Sequence, residues 1–215
     1  MTKTQKKYFA LAIYCLCFYA IWTIFELYGK ANIRSQFVKS GIIKTAVWAL
    51  PAALLIYKFH DTVQIGLTEM FVTKVQWRRY LWVYALLAAW VLLGGFFQPG
   101  GLSFVITLNP LMIVLFVGIT EEMVFRGWLL NATAKDMPRW VAILINALLF
   151  LAIHFPRWIR EGIFMSTFAS FNFVGIVALS VLFSISFLKS KSILIPITMH
   201  MFYDLMMVVF LPQVS

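Results

Sequence analysis

Six residues in the second half of the chain hold most of its capacity for chemistry: Glu121, Glu122, Arg126, His154, His200 and Asp204. The stretch GITEEMVFRG, 118–127, sets two carboxylates and a guanidinium in a run that is otherwise apolar from Ser103 to Leu130. An ionisable residue in hydrocarbon costs about 2.5–3.5 kcal/mol even on the lenient insertion scale, so these six are expected to face one another or a wet cavity. Carboxylates beside imidazoles suit acid–base work. A glutamate kept from bulk water and hydrogen-bonded by a histidine can serve as a general base. Two histidines and a carboxylate would also suit zinc or another divalent metal with one open position, with Glu121, His154 and His200 as the ligand set. No HExxH motif accompanies them. His60 lies in a loop and joins no pattern.

Spacing divides the labour. Glu122 and Arg126 are four apart on one helical face and can pair. Glu121 is turned about 100° away and faces a different neighbour, free for chemistry. His200 and Asp204 also share a face. Pro156 disfavours helix at Phe155, which puts His154 in a last turn with its ring able to reach inward.

The elements that position these residues follow from composition. The 215 residues are 62% apolar and 12% charged, against roughly 45–50% and about 25% in soluble domains. The chain therefore reads as an all-α, polytopic integral membrane bundle. A spanning helix needs about 20 mostly apolar residues. Runs of that kind cover 8–28, 41–59, 80–97, 104–130, 139–155, 170–188 and 191–210, which predicts about seven spans. Pro51, Pro110 and Pro196 predict kinks. QPGG at 98–101, KDMPR at 135–139 and KSKS at 189–192 read as turns. Residues 60–79 read as an interfacial amphipathic segment. Residues 156–169 allow an interfacial turn, a re-entrant piece or a gating loop. Residues 1–103 form the N-terminal helices and 104–215 the chemically equipped core of one membrane domain.

The net charge of +10 comes from Lys and Arg gathered between apolar runs, as topology determinants are. No finger, RNA-binding aromatic motif or basic reading helix is present, which argues against a nucleic-acid partner. Putting the N-terminus in the cytoplasm places most of the Lys and Arg inside, and the expected location is a bacterial plasma membrane. Membrane lipid and a peptide or small membrane protein are the expected partners. The oligomeric state is left open. Cys15 and Cys17 point in nearly opposite directions on the first helix and form neither clip nor metal site. The N-terminal run lacks a small-residue cleavage site and reads as a retained helix.

Depth brings the six together. Glu121 lies about 15 residues before the middle of the 131–138 turn and His154 about 17 after it, so both sit roughly 20–25 Å from that turn. His200 and Asp204 lie roughly 15–20 Å up from the turn near 190, close to the same level. The expected site is a water-accessible cavity between the fourth, fifth and seventh spans.

EEMVFR (Glu121–Arg126), FLAIH (Phe150–His154) and HMFYD (His200–Asp204) resemble, in order and spacing, the EExxxR, FxxxH and HxxxN/D motifs of the CPBP intramembrane proteases, also called Abi. That family includes type II CAAX prenyl endopeptidases and bacterial bacteriocin-processing or immunity proteins. The resemblance covers about residues 104–207. It implies peptide-bond hydrolysis in or at the membrane. Glu121 and His154 would activate a water, and His200, helped by residue 204, would stabilise the oxyanion. The family has been read both as metalloproteases and as metal-independent glutamate proteases, and the sequence leaves both open. The CAAX proteases of the family carry Asn in the third motif. Ionised Asp204 cannot donate to an oxyanion, so it is expected to orient and charge His200 instead. A non-enzymatic immunity or partner-binding protein is the alternative expectation.

Overall fold

The computed structural model describes residues 1–35, 37–98, 100–106 and 108–211. Among them there is no β-strand. The chain runs through α1 (Lys3–Asn32), α2 (Phe37–Lys58), α3 (Leu67–Val72), α4 (Trp77–Phe97), α5 (residues 108–133), α6 (Arg139–Ala152), α7 (Phe155–Arg160), α8 (Phe164–Ala169), α9 (Asn172–Ser190) and α10 (Leu194–Phe210). Among the described residues five segments are long and apolar enough to cross a membrane: α1, α2, α4, α6 with α7, and α9. The expectation of seven spans counts two more. Those are α5, which carries the three charges of EEMVFR, and α10, a shorter apolar helix of 17 residues.

Sequence explains where the helices start and how they bend. Thr2 opens α1 with a capping box, its hydroxyl accepting from Gln5 N–H at 3.2 Å while the Gln5 side chain accepts from Thr2 N–H at 2.8 Å. The expected proline kinks become milder features. Pro196 is the third residue of α10 and Pro110 the third of the helical stretch Leu108–Glu122. In a first turn the missing N–H has no intrahelical partner to lose. Pro51 sits where the wide π-helical turns of α2, Phe37–Ile43 and Thr45–Ala49, give way to Leu50–Lys58. Residues 60–79 contain α3 and the 3-10 turn Trp77–Tyr80. Residues 156–169 hold α7 and α8, joined at Gly162 with φ +69° and pinned by Phe155, Trp158, Phe164 and Phe168 ring contacts. Pro99 of the expected QPGG turn lies outside the described residues.

The bundle buries several charged side chains and exposes many large apolar ones. Large apolar side chains such as Leu16, Leu54, Trp82 and Phe97 are exposed, while Lys7, Glu26, Lys44, Glu121, Glu122 and Arg126 are buried. In water the outer surface would be an association patch; against hydrocarbon it is the solvent-matched face. A core of Phe18, Trp22, Trp48, Phe125 and Trp128 joins α1, α2 and α5. α6 packs on α9, and α10 packs on α5 and α4. One end is tied by Lys3 to Asp61 at 3.0 Å and by the buried Lys7, which donates to Asp136 at 2.6 Å and to Ala132 O at 2.7 Å. At the other end Arg160 meets Glu26 at 3.4 Å.

Candidate active site

α5 and α10 come together because position 118 is glycine. A Cβ there would lie 2.5 Å from Met201 Cγ and 3.4 Å from the Ile197 carbonyl. That close approach brings His200 onto α5, where its Nδ1 donates to Glu122 Oε1 at 2.8 Å. The same oxygen accepts from Arg126 Nη1 at 2.9 Å. Arg126 reaches further, to the Ser180 carbonyl at 3.0 Å and the Ser180 hydroxyl at 2.8 Å, with its guanidinium 4.7 Å from the Phe150 ring centre. Glu122 and Arg126 have no exposed surface. From Met123 to Leu130 the helix takes wide π-helical turns and all eight residues are buried. Turns of this kind inside an α-helix recur at functional sites.

Glu121 looks the other way, as its rotation from Glu122 requires. It lines a cavity of about 640 Å³ together with His154, His200 and Asp204. Its Oε1 accepts from Lys44 Nζ at 3.0 Å. Lys44 lies in α2 and packs over the rings of Trp48, at 4.5 Å, and Trp22, at 5.0 Å. His154 follows the last turn of α6. Its Nδ1 donates to the Phe150 carbonyl at 3.1 Å, which leaves Nε2 as the acceptor of the neutral ring. Trp22 steadies that turn from α1, its indole donating to the Ile153 carbonyl at 2.9 Å. The His200 ring stacks on Phe183 with centroids 5.3 Å apart, and its Nε2 lies 3.5 Å from Asp204 Oδ2.

The six sequence-selected residues thus fall into two layers. Glu121, His154, His200 and Asp204 border the cavity; Glu122 and Arg126 sit behind it, holding His200 and α9. Two details differ from the sequence expectation. Glu121 is paired with Lys44 rather than free, and the nearest carboxylate to His200 is Glu122 rather than Asp204. Lys44 and the buried Glu26, also a cavity residue, were not singled out from sequence. The available signal was a charge inside an apolar run: Lys44 lies within 41–59 and Glu26 within 8–28. Among the described residues no three His, Cys, Asp or Glu side chains are grouped to hold a metal ion. His154 and His200 each use Nδ1 in a hydrogen bond and keep Nε2 for another partner, and one Glu121 oxygen is held by an ammonium.

Residues 103–206 match the family described as type II CAAX prenyl endopeptidase Rce1-like. No curated protein and no solved structure matches the chain. The matched stretch contains α5 to α9, most of α10, and each of the six residues discussed above. Over that stretch the chain is similar to the Rce1-like group of the CPBP membrane proteases.

Proposed function

We propose that the protein is an intramembrane endopeptidase that hydrolyses a peptide bond of a membrane-associated or lipidated peptide, with Glu121 as general base. The observation that carries this reading is the meeting of Glu121, His154, His200 and Asp204 around one cavity inside an apolar-skinned bundle. Lys44 engages Glu121 Oε1, so Oε2 is the oxygen available to a water. Glu121 takes the water's proton while His154 Nε2 accepts its second O–H and orients it. The hydroxide attacks the scissile carbonyl carbon, and the C=O electron pair moves onto oxygen. His200 receives that oxyanion through Nε2. Because Nδ1 is committed to Glu122, this donation needs the ring to carry both protons. Asp204, 3.5 Å from Nε2, is the neighbouring anion that balances such a ring. The tetrahedral centre then collapses, the C–N bond breaks, and Glu121 returns its proton to the leaving amine.

The test is cleavage of a membrane-peptide substrate by folded Glu121→Gln and His154→Ala protein. A loss on the order of 10²–10⁴-fold is expected, the range that general acid–base groups supply. Undiminished turnover in both variants would remove the reading. Metal content measured on active protein checks the base assignment; a stoichiometric divalent ion would replace it. In a cell protected from a bacteriocin, protection that survives Glu121→Gln would belong to a binding role instead of hydrolysis.

A further inference from the structure

We propose that the Lys44 ammonium is the resident cation of the cavity: it positions Glu121 for the water and takes the flank of that carboxylate which a divalent metal would need. The positioning half rests on the proteolytic reading; the metal half does not. Lys44 stands in the apolar run 41–59, outside the family-matched stretch. Of the Lys and Arg residues lining the cavity, among the described residues, it is the buried one; Lys30, Lys39, Arg157 and Arg160 all keep more exposure. A buried ammonium is costly unless it is paired, and the fold builds a seat for this one. Trp48, one turn further along α2, and Trp22 of α1 meet edge to face with centroids 4.5 Å apart, and both indoles are buried. The ammonium lies 4.5 Å from the Trp48 ring centre and 5.0 Å from that of Trp22, within the reach of an attractive cation–ring contact. It donates to Glu121 Oε1 at 3.0 Å.

Two consequences follow for Glu121. The last torsion of a glutamate is broad, so an unheld carboxylate presents either oxygen in many directions. Pinning Oε1 removes that freedom and leaves Oε2 in one place for a water. Trp22 ties this seat to the other group that would handle the water, because its indole N–H also donates to the carbonyl of Ile153, the residue before His154. The second consequence concerns metals. A divalent ion would sit about 2 Å from a carboxylate oxygen, and an ammonium on the same carboxylate opposes it as a like charge. His154 and His200 each keep Nε2 for another partner, so it is Lys44 and not the imidazoles that sets this site against a dication. The residues around Glu121 therefore do not fit a metal held by that carboxylate.

Zinc alone is the probe for the metal half. Chelator-treated full-length protein in detergent is titrated with zinc as wild type, Lys44→Ala, Lys44→Arg and the double variant Lys44→Ala/Glu121→Gln. Lys44→Ala is expected to bind zinc about tenfold more tightly than wild type once the like charge is gone. Lys44→Arg, which keeps the charge, should bind as weakly as wild type, and the double variant should lose the gain. Lys44→Ala protein that binds zinc no more tightly overturns the proposal, whether or not the protein cleaves. So does wild-type protein that holds one equivalent of zinc and loses it in Glu121→Gln, a comparison that needs no folded Lys44 variant. The positioning half is read from turnover of a membrane peptide per folded molecule. Lys44→Ala should lower kcat on the order of 10²-fold, as a misplaced reacting group does, at unchanged KM, and added ethylammonium should restore part of it. An unchanged kcat overturns that half. Full turnover by Glu121→Gln would instead refute the proteolytic reading and leave the zinc result standing.

Discussion

Glu122 holds Arg126 and His200 through one oxygen, and no part of it reaches the cavity. Removing one partner of a buried ion pair leaves an uncompensated charge and costs about 3–5 kcal/mol. Glu122→Gln is therefore expected to destabilise the protein by that order, read as a lowered thermal midpoint in detergent. A Glu122→Gln protein that is fully stable yet inactive would contradict the division between the two adjacent glutamates. The pairing of Glu122 with Arg126 was legible from four-residue spacing, because helical geometry alone fixes it. The Lys44–Glu121 contact was not. Its partners are separated by 77 residues, and no local rule links α2 to α5.

At the scale of elements, the site depends on how closely two helices pass. Gly118→Ala would drive a methyl into Met201 and toward the Ile197 carbonyl. The expected cost is about 1–3 kcal/mol, as for other overpacked contacts. Cleavage per folded molecule should fall as well, because parting α5 from α10 pulls His200 off Glu122. Unfolding and turnover measured on the same preparation check both halves; full activity at reduced stability would show that this seating does not matter to the chemistry. The long helices fell on the apolar runs expected for them, since length and hydrophobicity decide where a helix can cross. The π-helical turns of α2 and α5 were not legible. They depend on which neighbour a widened turn can pack against, and apolar periodicity is silent on that. Residues 156–169 were ambiguous for a similar reason: two short helices held by ring contacts leave no long pattern in sequence.

Across the whole molecule, the half that matches the protease family is incomplete without the other. Trp22 and Tyr19 of α1 donate to the carbonyls of Ile153 and Leu149, around the turn that carries His154, and α2 supplies Lys44 to Glu121. Burial alone could be anticipated from composition; this cross-bracing could not, because the N-terminal helices read as generic membrane sequence. It has a genetic consequence. Two plasmids, one encoding residues 1–75 and the other 76–215, divide the chain in the irregular stretch before α4. Transmembrane helices can insert independently and associate afterwards, so the pieces are expected to restore cleavage when expressed together. The 76–215 piece alone should be inert despite carrying all six of the selected residues, and activity from it alone would show the first three helices to be dispensable scaffolding.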